Sequence, residues 1–138
     1  MRTDMDSLNA GKAMAQAAHA ANLMVERVRS IKEKASKTGG GGSYVKWLLH
    51  KWQEEGKGFG TTIVMNGDDL RFIKEIIELM EPDDDLKQYN YGTVMDETYP
   101  LRDGRITHFL PIETCMWVFC DKSDPIMEQY MERFTLHE

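Results

Sequence analysis

Cysteine is scarce, long apolar runs are missing, and the common glycine signatures of phosphate binding do not occur. Two cysteines in 138 residues, without a secretory leader, read as free thiols rather than a disulfide framework. No apolar run approaches the roughly 20 residues needed to span a bilayer. The opening Met1-Arg2-Thr3-Asp4 brings an acid early and has no apolar leader core, so a cytoplasmic protein is expected. The one glycine run, Gly39–Gly42, lacks both a preceding strand and a following Lys-Ser/Thr. Cys115 and Cys120 are five apart, which puts them on opposite faces of a regular strand and unable to share a metal. No serine sits in a nucleophile elbow.

What is present suits one soluble domain over residues 1–138: 41% of residues are hydrophobic and 29% charged, near the globular average. The net charge of −6 is unevenly spread. Residues 1–58 hold ten Lys+Arg against six Asp+Glu, whereas residues 59–138 hold seven against seventeen. A basic first half on an acidic chain gives a phosphate backbone a local patch to meet.

Good helix formers from about Ala10 to Lys34 predict a long first helix, with Met14, Ala17, Ala18, Ala21, Met24, Val25, Val28 and Ile31 on its apolar face. A glycine-rich loop is expected at 38–43, then a second helix from about Tyr44 to Glu55, ended by Gly56. The β-branched run 61–65 predicts a strand, and 69–80 a third helix stopped by Pro82. Residues 89–95 and 114–120 read as strands, with a long irregular stretch at 96–111 between them. Asp124-Pro125 is an N-cap followed by proline at the first helical position, opening a last helix. Trp47, Trp52 and Trp117 read as packing residues rather than a base-stacking platform. The alternation predicts an α/β fold.

Two places can hold chemistry. Lys12, Gln16 and His19 lie at i, i+4 and i+7, within about 60° of one another on the first helix, near its positive end and opposite the apolar face. Asp96 directly follows a strand, with Arg105, Thr107 and His108 further along. A His–Asp pair supplies acid–base chemistry, and a lysine beside it can stabilise an oxyanion.

These residues carry a resemblance. Arg2-Thr3-Asp4-Met5, then Ala10-Gly11-Lys12-Ala13-Met14-Ala15-Gln16-Ala17-Ala18-His19-Ala20, resembles the opening of the type II peptidyl-tRNA hydrolases, whose first helix carries G-K-x-A-A-Q-x-x-H-A. The strand ending at Asp96 resembles the one leading into that family's D-A-G-x-T. Gly104-Arg105-Ile106-Thr107, Pro111 and Thr114 resemble its G-R-T-x-x-x-P and following threonine. The chain departs in its almost absent first strand, in extra sequence between Asp96 and Gly104, and in Ile112 where the family has glycine. Asp103 is therefore a rival to Asp96 as the family's acid.

The resemblance implies a small mixed four-stranded sheet, its first strand truncated, with helices on both faces. It implies a homodimeric esterase, without cofactor or metal, that cleaves the bond between a peptide and the 3′ end of tRNA. Lys12, His19 and Asp96 would be catalytic: His19 with Asp96 activates water, and Lys12 holds an oxyanion or phosphate. Gln16, Arg105, Thr107 and Thr114 would line the substrate pocket. Arg29 and Lys32, with Arg27, Lys34, Lys37, Lys46 and Lys51, would hold the acceptor stem by its phosphates. The competing expectation is a non-catalytic RNA-end-binding or protein-interaction module on the same fold.

Overall fold

A computed structural model describes residues 1–5, 8–31, 41–58, 60–67, 70–71 and 90–137. Helix α1 spans Ala10–Ser30. Its start is set by Asn9, whose side chain accepts from the Lys12 N–H at 3.0 Å. Helix α2 spans Gly41–Glu55, so part of the glycine run expected as loop lies in its first turn. Its end is not made by Gly56. Lys57 adopts φ 53°, and the N–H groups of Lys57 and Gly58 return to the carbonyls of Glu54 and Gln53. This is the Schellman pattern, with a lysine in the left-handed position. Strands β1 (Asn90–Asp103) and β2 (Ile106–Phe119) form one antiparallel hairpin, and helix α3 spans Pro125–Met131. Asp124 caps α3 as expected, accepting from the Met127 N–H at 3.2 Å.

The expected four-stranded sheet with helices on both faces is not what forms. The described residues hold three helices and a two-stranded antiparallel sheet. The residues expected as a third strand reach only an isolated bridge, Met65 to Leu136. The residues expected as a truncated first strand make single backbone bonds: Arg2 N–H to Thr114 O, Met1 N to Met65 O, and Gly67 N–H to Met1 O. Segments this short find backbone partners without building a ladder. The stretch expected to be irregular at 96–111 is instead paired strand on both sides of a turn. Asp103-Gly104-Arg105-Ile106 closes the hairpin in a two-residue turn, with Gly104 at φ 57°. Positive φ at the first central residue alone is the II′ geometry that matches strand twist. The helix expected over 69–80 lies outside the described residues except for Leu70, which is buried, and Arg71.

The ladder is interrupted twice. Between the pairs Val94–Cys115 and Met95–Glu113, β2 carries one extra residue, Thr114. Between Asp96–Ile112 and Tyr99–Leu110, the extra residue is on β1. The bulges sit on opposite strands, so the register beyond them is the one before them. The first lets neighbours Thr114 and Cys115 both face inward. The second turns Tyr99, five residues from Val94, back onto the face that Val94 occupies.

Helix α1 lies on both strands, and α2 packs on α1. One core cluster joins Met24 and Val28 of α1 to Val45, Leu48 and Leu49 of α2 and to Phe119. A second joins Met1, Ala13, Ala20, Val94 and Cys115. The buried stripe of α1 is thus Ala13, Gln16, Ala20, Met24 and Val28, whereas Met14, expected inside, is 68% exposed. The alanine-rich first half has no large apolar anchor to fix its rotation, and the sheet takes the small residues together with a glutamine.

Candidate functional site

The buried glutamine is the centre of the site. Gln16 is 3% exposed, and both ends of its amide are satisfied. Its Nε2 donates to Asp96 Oδ2 at 2.7 Å, and its Oε1 accepts from Thr114 Oγ1 at 2.6 Å. A carboxylate only accepts, so the NH2 end must face Asp96, and the carbonyl end is left for the hydroxyl. Each partner comes from an irregular point of the hairpin. Thr114 is the extra residue of the first bulge and also lies 3.4 Å from Val94 O. Asp96 opens the second bulge, and its Oδ1 accepts from the Thr98 N–H at 3.1 Å. Asp96 is half-buried, which leaves lone pairs of its carboxylate facing outward.

Lys12, one turn before Gln16, reaches across the same strand. Its Nζ donates to Pro100 O at 2.6 Å and lies 4.8 Å from the centroid of the Tyr99 ring. Tyr99 has no exposed surface, so the ammonium rests on a fixed ring. One of its three protons is used by Pro100. The site therefore offers a half-open carboxylate, a cation with donors to spare, and a glutamine–threonine pair that holds the acid in place.

Of the residues expected in the pocket, the structure joins Gln16, Asp96 and Thr114 by hydrogen bonds, and Lys12 lies one helical turn away, bonded to Pro100 O. It does not bring in the others. His19 is exposed and makes no hydrogen bond among the described residues. Arg105 and Thr107 are exposed at the hairpin tip, roughly 20 Å from Asp96 at about 3.3 Å per residue. The rival acid Asp103 is beside them, paired with Ile106. Arg29 is exposed on the last turn of α1, 3.8 Å from Glu26, and Lys32 lies outside the described residues. Tyr99 and Pro100 were missed. Their one signal in the sequence is a Tyr-Pro step inside a stretch that reads as loop.

The chain matches no family model, no curated protein and no solved structure.

The thiols take no part in it. Burial pushes the Cys115 thiol up, and Cys120 is pushed up to about 11, by burial first and then by the charges of Asp124 and Asp121. Cys115 Sγ lies 3.7 Å from Gln16 O and packs the far side of the network. Among the described residues no group of His, Cys, Asp and Glu is arranged to hold a metal. No helix there is long and apolar enough to cross a membrane.

Proposed function

We propose that the chain is an ester hydrolase acting on aminoacyl or peptidyl groups at the 3′ end of tRNA. The observation that supports this is the meeting of Gln16, Asp96 and Thr114, three residues that the resemblance names and that come from three separate elements, with Lys12 one turn away on the helix of Gln16. Asp96 takes a proton from the attacking water on its outward lone pairs. The carbonyl oxygen of the ester becomes an oxyanion, and the Lys12 ammonium stabilises it. Gln16 and Thr114 position Asp96 and do not touch substrate. Collapse of the tetrahedral intermediate expels the ribose oxygen, which takes back the proton held on Asp96, and the acyl group leaves as a carboxylic acid that ionises to water. His19 is assigned to the rim, where its exposed ring meets the nucleotide end rather than Asp96.

The test is release of labelled amino acid from N-blocked aminoacyl-tRNA. Asp96→Asn is expected to lower the rate by about 10²-fold or more, the scale of lost acid–base catalysis. Asp103→Asn at the hairpin tip is expected to match the parent, and the opposite result would move the acid to Asp103. The exposure of His19 favours one second reading, a non-catalytic module that binds RNA ends. A parent chain that binds tRNA without releasing the label would establish it and end the hydrolase reading.

A further inference from the structure

Helix α2 turns Val45, Leu48 and Leu49 inward, and its outer side is not a plain polar face. Tyr44, Trp47 and Lys51 follow at i, i+3 and i+7 and form a ladder along the helix. The two rings are stacked, with centroids 5.7 Å apart and planes at 29°. The Lys51 ammonium lies 5.2 Å from the Trp47 centroid. Trp47 is nevertheless 52% exposed and Tyr44 47% exposed, which overturns the reading of Trp47 as a packing residue. Rings of this size in water, held in a stack beside a cation, are an unspent binding surface.

The surroundings decide what fits. Arg27 and Arg29 project from the last turn of α1, the helix that packs on α2 through Val28. The opposing acids are Asp121, which accepts from the Tyr44 hydroxyl at 3.5 Å, and Asp124, whose charge also reaches Tyr44. The Asp121 carboxyl is held below the usual range, chiefly by hydrogen bonds from Ser123, with the charge of Lys51 adding to the effect. Further along, His50 faces Glu54 at 3.7 Å. Flat rings followed by a cation, with guanidinium groups on the next helix, complement a chain of flat bases linked by phosphates.

We propose that this face of α2 binds single-stranded nucleic acid, with an unpaired base extending the Tyr44–Trp47 stack and its phosphate meeting Lys51. The assignment does not rest on ester cleavage at Asp96. Asp121 limits affinity by offsetting Lys51.

The test uses the full chain and a fluorescent single-stranded RNA of about ten nucleotides, within the range that stacking grooves cover. A duplex of the same sequence and the Asp96→Asn variant run in parallel. Trp47→Ala and Tyr44→Ala are each expected to weaken binding roughly 5- to 150-fold, the equivalent of the stacking of one base. Trp47→Phe is expected to restore most of it. Lys51→Gln is expected to flatten the salt dependence by about 0.7 in log–log slope. Asp121→Asn is expected to tighten binding, and Asp96→Asn to leave it unchanged. Melting curves confirm that each variant is folded; Tyr44 and Trp47 are exposed enough to be replaced. Equal affinity of the parent and Trp47→Ala for the single strand would overturn the proposal. So would a preference for the duplex that is lost in Lys51→Gln alone, or no binding of the RNA by the parent at low salt.

Discussion

The two halves of the hairpin share strands, register and hydrogen-bonding pattern, yet they are chemically unlike. In the inner half Val94, Tyr99, Thr114 and Cys115 are all buried under α1. In the outer half Ile106 is 61% exposed and Phe109 68%, and Arg102 to Leu110 are exposed without exception. The inner half is also where both irregularities of the ladder fall. The difference teaches that pairing alone makes no site. A carboxylate on a regular, solvated arm, such as Asp103, has nothing to orient it. Asp96, between two bulges and under a helix, is held by a glutamine and a backbone N–H.

The largest test of this contrast is Tyr99→Ala. It removes a fully buried ring from the inner half and the surface on which Lys12 rests, so a loss of about 3–5 kcal/mol is expected in denaturant unfolding. A loss under about 1 kcal/mol would mean that the inner half is no better packed than the arm. Next is Thr114→Val, which keeps shape and removes the hydroxyl. Gln16 Oε1 is then left buried without its donor, at a cost of about 1–3 kcal/mol, read from the unfolding midpoint. Ester cleavage should fall with it, because Asp96 loses its brace. The smallest effect is expected at Phe109→Thr, in the arm. Stability should stay within about 0.5 kcal/mol, as for a surface substitution. A clear destabilisation there would show that the arm is covered in solution.

The contrast also separates what the sequence discloses from what it hides. The start of α1 near Ala10 was legible in its run of helix formers, and the Asp124-Pro125 start of α3 because capping is a local matter of one side chain and the next turn. Lys12, Gln16 and Asp96 were legible as a set through spacing and resemblance. The burial of Gln16 was not. A glutamine among alanines carries no signal that a threonine and an aspartate about 80 to 100 residues later will satisfy it. The strands beyond Asp96 were hidden for a related reason. Pro100, Pro111 and the charged run between them look like a loop, and no alternation marks an arm that is wet on both faces. The expected sheet failed where it depended on contacts far along the chain, at 1–3 and 61–65, which no local pattern specifies.

The compensating bulges carry a consequence for how such a chain tolerates insertion and deletion. Removing Thr114 alone would straighten one interruption and leave the other. The pairs beyond it, from Met95–Glu113 to Asp103–Ile106, would be kept, and Tyr99 would stay on the face set by the second bulge, while Gln16 would lose the threonine that donates to it. Removing one residue of the 97–98 pair as well would leave an uninterrupted ladder. The hairpin would keep its turn, its length to within a residue per strand, and its buried Tyr99, while losing the crook that presents Asp96 to Gln16. Single-residue changes at the two bulges thus act locally, on the site and not on the pairing of the arm. They make the site something that a lineage can erase or install without dismantling the arm.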